Sequence, residues 1–306
     1  MPETLLQLHA LTKKYGSLTA VNELSLRLEK GKVYGLLGPN GSGKSTTLGM
    51  VLNVVNPSSG SFEWYGGTKT THQALKHIGA IIERPNFYPY LTAFQNLKLI
   101  CQIKQCSAAH IQEQLELVGL WARKDSKFST YSLGMKQRLA IAAALVNQPE
   151  LLILDEHTNG LDPEGIHQIR ALITSIAARG TSILLASHLL DEVEKVCTDV
   201  IVLKNGNKYY EGSVDGLNPS FGYFEIAAQP ESSLVTFLEQ HTSIGEISKK
   251  KECFHVLLTE ELSAEQFSQQ LQEAGLLLTH FVKKQPSLED QFLLLTQSEK
   301  HATTAH

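Results

Sequence analysis

The segment KVYGLLGPNGSGKSTTLGMVLNVV, residues 32–55, restricts the fold more than any other stretch of this chain. KVYGLLG is a short apolar run that reads as a buried strand, and after it the apolar spacing is that of a helix. Between the two lies GPNGSGKS, Gly38 to Ser45, which matches G-x-x-x-x-G-K-[ST] in the strand, loop and helix setting that gives the pattern its meaning. Gly38, Pro39, Asn40, Gly41, Ser42 and Gly43 form a loop whose glycines let backbone amides turn inward as a nest for phosphate oxygens. The helix that follows, with Thr46 at its start, adds the positive end of its dipole. Lys44 then reaches the β- and γ-phosphates of a nucleoside triphosphate, and the Ser45 hydroxyl is a ligand for Mg²⁺. A flexible surface loop with a chance lysine is the alternative, and the flanking strand and helix argue against it.

A second stretch, LLILDEHTNGLDP from Leu151 to Pro163, poses an electrostatic problem. An apolar run of strand type ends in two adjacent acids, Asp155 and Glu156, which repel one another unless a cation sits beside them. If LLILD belongs to the sheet that carries the phosphate loop, Asp155 faces Ser45 through Mg²⁺ and the metal relieves the repulsion. Glu156, one residue on, is placed to orient or deprotonate a water in line with the γ-phosphate. The plainer reading makes the two acids caps of the next helix. His157 is expected to be a bystander at a turn, its ring directed away from the nucleotide. The competing expectation is an imidazolium beside Glu156 that lowers the carboxylate's pKa.

Composition leaves any phosphate binding to such local sites. A chain of 306 residues, 42% hydrophobic and 19% charged with a formal net charge of −4, has no bulk attraction for polyanions and can form one large domain and a smaller one. Cys101, Cys106, Cys197 and Cys253 show neither CxxC nor metal spacing, which fits a reducing compartment. The start MPETLLQLHALTKKYG has no basic segment followed by a long apolar one, and no run reaches ~18 apolar residues. The expectation is a chain that is not secreted and does not cross a membrane by itself.

Short alternating runs from LLQLHALTKKYG to the phosphate loop predict antiparallel strands, and residues of about 93–144 carry helical periodicity. LLILD, PEGIHQIRALITSIAARG and TSILLASH then alternate strand and helix, which predicts a mostly parallel sheet covered on both faces. A helix, a strand and a hairpin with NGN at its tip follow. SVDGLNPSFGY marks a linker. The fold class expected is therefore α/β: a P-loop NTPase core with a mostly parallel sheet, an N-terminal antiparallel β-subdomain and a helical insertion. Residues 1–215 form this domain, and 216–306 form a small C-terminal α/β accessory domain. Within the latter YFEIAA, CFHVLLT, AEQFSQQLQEAGL and LLTHFVKK are the recognisable pieces, a last helix is expected to start after Pro286, and the tail SEKHATTAH is expected to be disordered.

With these motifs in place the sequence resembles the nucleotide-binding subunit of an ABC transporter over about residues 4–215. YSLGMKQRL resembles the family signature, commonly LSGGQ or LSGGMKQRL, with Tyr131 in place of Leu and Leu133 in place of the first Gly. NGLD resembles the D-loop, ending at Asp162, and LLASH resembles the strand of the switch histidine, His188. Tyr15 in KKYG stands where the family has an aromatic that stacks on adenine. The resemblance implies ATP and Mg²⁺ as ligands and a catalytic set of Glu156, His188, Lys44 and Asp162. It also implies a head-to-tail homodimer, in which Ser132 and Gly134 of one copy cover the γ-phosphate held by the other. Ser132 is expected to cap its helix as well. Glu83 stands where the family usually has Gln and implies an oxygen for the metal or its water; Leu133 removes a glycine, and His157 replaces a proline. Tyr131, Leu133 and Glu83 resemble the branch of exporters linked to antibiotic and bacteriocin self-protection and to ABC-2-type systems. There a separate integral membrane permease is the partner, placing the chain at the cytoplasmic face of the cell membrane.

RPNFYPYLTAFQNL is where the resemblance puts the contact with that permease, with Phe87, Tyr88 and Tyr90 as exposed anchors or, alternatively, as core of the insertion. A second hypothesis is a soluble ABC ATPase acting on ribosomes or DNA. Such proteins resemble two cassettes joined by a basic linker, or carry long coiled coils or zinc motifs, and none of these is in the sequence, so no nucleic acid is expected. A third, a regulatory ATP-binding module, requires that Glu83 and Leu133 abolish turnover.

Overall fold

Three strands whose residues are apolar almost throughout set the architecture, because such strands are covered on both faces. The computed structural model describes residues 3–82, 85–214, 216, 221–250 and 252–284. By its contacts the chain divides into two units, Met1–Val214 and Asp215–His306. In chain order the first unit runs β1 (Thr4–Tyr15), β2 (Leu18–Glu29), β3 (Val33–Leu37), α1 (Lys44–Val51), β4 (Ser59–Trp64), α2 (Thr71–Leu75), β5 (Ile78–Ile81), α3 (Ala93–Lys104), α4 (Ile111–Leu117) and α5 (Leu133–Leu145). It continues with β6 (Leu151–Asp155), α6 (Pro163–Ala178), β7 (Ser182–Ser187), α7 (Leu190–Val196), β8 (Asp199–Lys204) and β9 (Asn207–Ser213).

β3, β6 and β7 are buried along their whole length. They lie in a six-stranded sheet of order β5-β6-β7-β3-β8-β9, parallel except for β9. Leu37 is in register with Ser187, and Asp155 with Ala186. The C-terminal ends of these three strands therefore lie side by side, where α/β sheets place their ligands. From them issue the phosphate loop, the Asp155–Glu156 pair and His188. A separate three-stranded antiparallel sheet, order β2-β1-β4, carries Tyr15 at the end of β1. The helical insertion holds α3, which opens on a capping box of Thr92 and Gln95, and α4 and α5.

The second unit runs β10 (Tyr223–Gln229), α8 (Glu231–Gln240), β11 (Ile244–Lys250), β12 (Cys253–Leu258), α9 (Ala264–Glu273) and β13 (Leu277–Lys284). Its antiparallel sheet has the order β11-β12-β10-β13, a split βαβ arrangement. Alternate residues of β10, Phe224 and Ile226, meet Leu234 of α8 and Phe267 of α9 in a core of its own, with the Phe224 and Phe267 rings 4.9 Å apart. The helix expected after Pro286 and the tail SEKHATTAH lie outside the described residues.

Candidate active site

The turn from β3 into α1 needs glycine at defined points. A Cβ on Gly38 would fall 2.3 Å from the Leu203 carbonyl oxygen and 2.4 Å from Ser42 Oγ. Gly43 has φ +106°, and a Cβ there would fall 2.6 Å from the Ala20 carbonyl oxygen. The loop so formed borders a cavity of about 550 Å³ lined by Asn40, Gly41, Ser42, Gly43, Lys44, Ser45 and Thr46 together with Tyr15, Leu18, Thr19, Ala20, Glu156 and Asn205. That volume suits a small-molecule ligand. Gly38 and Pro39 do not line it: their carbonyls accept from the buried Lys44 Nζ at 2.7 and 3.4 Å. From the opposite side the β8–β9 hairpin braces the loop, Gly206 N donating to the Ser42 carbonyl at 3.1 Å.

At the end of β6, Glu156 adopts φ +46°, a left-handed conformation unusual for a residue with a side chain. Its amide donates to the Ala186 carbonyl at 3.0 Å, and its carbonyl accepts from Asn159 N at 3.2 Å. So held, the carboxylate spans two groups: Oε1 stands 3.6 Å from Lys44 Nζ, and Oε2 stands 2.6 Å from His188 Nδ1. Lys44 therefore offsets the negative charge of Glu156 directly. Asp155 is buried at the last position of β6. His157 is 1% exposed and lines a small cavity with Thr158, Arg170 and Glu192 instead of the phosphate-loop cavity. Burial lowers its pKa to about 4, so the ring is neutral and no imidazolium stands beside Glu156.

Residues 21–159 match the family model described as ABC transporter. The chain is 35% identical over 295 residues to the bacitracin transport ATP-binding protein BcrA of Enterococcus faecalis, covering 95% of this chain and 96% of that protein. It is 41% identical over 212 residues to the lantibiotic transport ATP-binding protein SrtF of Streptococcus pyogenes, covering 69% of this chain and 92% of that protein. A solved dimeric ATP-binding cassette in a post-hydrolysis state, bound to ADP and Pi, matches with a TM-score of 0.60 and 25% identity, over 69% of this chain and 99% of that one. This chain belongs to the ATP-binding proteins of the ABC transporter family. It is an α/β P-loop ATPase, and the names of these relatives agree with the antibiotic- and bacteriocin-related branch.

In this ABC ATP-binding protein the signature segment opens α5. Ser132 caps the helix, its hydroxyl accepting from Met135 N at 3.3 Å, while Tyr131 is buried and donates its hydroxyl to the Arg123 carbonyl at 2.7 Å. Leu133 is 47% exposed, close enough that a Cβ on Gly160 would fall 3.2 Å from its Cδ2. Asp162 caps α6, with Oδ1 accepting from Gly165 N at 2.8 Å. Ser132, Leu133, Gly134 and Asp162 line a cavity of about 430 Å³ that shares no lining residue with the phosphate-loop cavity. Of the expected site residues, the fold thus gathers the phosphate loop, Tyr15, Glu156 and His188, and sets Ser132, Gly134 and Asp162 apart. Glu83 lies outside the described residues.

The aromatic segment divides. Phe87 packs on Phe128 with ring centroids 5.1 Å apart, whereas Tyr88 and Tyr90 are exposed and lie against each other. Among the described residues no helix is long and apolar enough to cross a membrane. Leu18, Thr19, Ala20 and Asn205 line the phosphate-loop cavity unannounced by any motif. The NGN tip signals a turn, but only the sheet order carries Asn205 to the cavity.

Proposed function

We propose that this protein is the ATPase subunit of an exporter, working as a pair of identical copies at the cytoplasmic face and driving a separate membrane-spanning subunit. The observation that supports the pairing is the separation of two half-sites. Lys44 and Glu156 border one cavity and Ser132 and Gly134 another, so only a second copy can bring a signature over a γ-phosphate. The transport names of the bacitracin and lantibiotic relatives support the membrane partner, and the exposed Tyr88 and Tyr90 are its anchors on this side.

In this reading the loop amides and Lys44 bind the triphosphate, and Tyr15, 49% exposed at the cavity, stacks on the base. Glu156 takes the proton of the attacking water, and His188 Nδ1 holds its other oxygen in place. The Ser45 hydroxyl and the Asp155 carboxylate are hard oxygen donors of the kind Mg²⁺ requires, and they would hold it. When bound, Mg²⁺ offsets phosphate charge. Residues 1–214 act as the ATP-binding domain and 215–306 as an accessory one.

Glu156→Gln tests the reading. The variant is expected to bind ATP, to lose ~10²- to 10⁴-fold in turnover, to form dimers with ATP by light scattering, and to co-purify from its native membrane fraction with a membrane-spanning protein. A monomer under every condition, including with the membrane subunit, would rule out the shared site. Association with ribosomes or DNA in place of a membrane partner would favour a soluble ATPase.

A further inference from the structure

Glu192, in the first turn of α7, is a carboxylate the proposed chemistry does not use, and it is 5% exposed. Its Oε2 accepts from Thr158 Oγ1 at 3.1 Å and from Ser187 Oγ at 3.5 Å. Thr158 lies two residues beyond Glu156, and Ser187 immediately precedes His188. Ser187 Oγ also accepts from Leu189 N at 3.0 Å, which ties the chain on both sides of His188. The Glu156 and His188 side chains meet at 2.6 Å, and the backbone arms that carry them are fastened to one carboxylate.

We infer that Glu192 is a positioning residue for hydrolysis: through Thr158 and Ser187 it fixes the distance between Glu156 and His188. A buried carboxylate is unfavourable unless its partners compensate, and an apolar residue would serve as well if α7 only had to pack on the sheet. Burial raises the pKa of Glu192, and the hydroxyls of Thr158 and Ser187 oppose that shift by stabilising the charged form. Both partners carry the hydroxyl one bond from Cβ, close to the backbone they hold, and the β-branch of Thr158 further restricts its χ1. The catalytic turn needs such a restraint, because Glu156 sits at φ +46° and would relax out of the left-handed region if the segment after it were free.

The inference rests on Glu156 and His188 being the hydrolytic pair. In the full-length chain, Glu192→Ala is expected to lower kcat by about tenfold to a hundredfold with KM for ATP nearly unchanged, the cost of a displaced catalytic group. Glu192→Gln retains an acceptor oxygen and is expected to recover kcat to within about threefold of the parent. Thr158→Val should reproduce part of the loss and add little to Glu192→Ala, and it serves as the test if Glu192→Ala does not fold. Wild-type kcat in both Glu192→Ala and Thr158→Val, or equal losses in the Ala and Gln variants, overturns the inference. Glu156→Gln measured in parallel separates the two claims. Normal turnover there refutes the hydrolytic pair, whereas an inactive Glu156→Gln beside a fully active Glu192→Ala refutes only the role of Glu192.

Discussion

A histidine next to the proposed base invites an electrostatic role, and burial decides against it. His157 is 1% exposed, its carbonyl accepts from the Gln137 side chain, and its pKa of about 4 lies below the ordinary histidine value. Between the two values the unfolded chain binds a proton that the folded chain refuses, so stability is greatest above ~6.5 and falls as the pH drops toward ~4. His157→Pro keeps the carbonyl and removes the titrating ring. The variant is expected to leave the acid limb of turnover between about pH 6 and 8 in place, and to shrink the stability lost between about pH 7 and 5 by about 2 kcal/mol. Chemical denaturation at the two pH values and a pH–rate profile check both halves; a shifted acid limb would mean that His157 takes part in the chemistry. The position of Glu156, directly after Asp155 at a strand end, was legible in the sequence. Its contact with His188 was not, since the two are separated by 31 residues of helix and strand that only the parallel pairing of β6 and β7 closes. Glu192 gave no signal at all, because nothing in LDEVEKV separates a buried glutamate from its exposed neighbours.

Among the elements, those with strong local patterns were readable and those without were not. LLILD and TSILLASH are each built on a run of four apolar residues and became β6 and β7, and PEGIHQIRALITSIAARG became α6 with Gly180 just past its end at φ +94°. The α8 helix has no side-chain cap, and β11, IGEISKK, mixes charge with a glycine; both depend on the second unit's core for their existence. The turn from β3 into α1 allows a sharper test, because two of its glycines share positive φ but differ in surroundings. Gly41 has φ +82° and a Cβ there would meet no atom of the described residues beyond its chain neighbours within 4 Å, whereas Gly43 has φ +106° and its Cβ would fall 2.6 Å from the Ala20 carbonyl oxygen. Gly41→Ala is expected to cost only the conformational strain, about 1–2 kcal/mol. Gly43→Ala adds a backbone collision and displaces the start of α1, so about 3 kcal/mol or more and loss of ATP binding are expected. Thermal unfolding and nucleotide titration of the pair measure this, and equal effects would mean that the β2 backbone does not constrain the loop.

At the scale of the whole molecule each unit has its own hydrophobic core, one running from Leu5 to Leu203 and the other built on Phe224, Val256 and Phe267. Every residue lining the phosphate-loop cavity and the signature cavity precedes residue 215. The lantibiotic relative points the same way: 212 aligned residues cover 92% of it, so its whole length is close to that of the first unit alone. A fragment of residues 1–214 should therefore fold, and it should bind ATP with an affinity within about threefold of the full chain, since a change below ~0.7 kcal/mol is all that the loss of a non-contacting domain implies. The BcrA alignment takes in 95% of this chain and 96% of that protein, so that relative has a counterpart of both units. The Glu156→Gln form of the fragment, compared with full-length Glu156→Gln by light scattering in ATP, separates the two contributions. Unchanged binding with weaker pairing assigns residues 215–306 to the dimer. A soluble, folded fragment that cannot bind nucleotide would show instead that the second unit shapes the site, and the boundary at Val214 would have to be abandoned as a functional one.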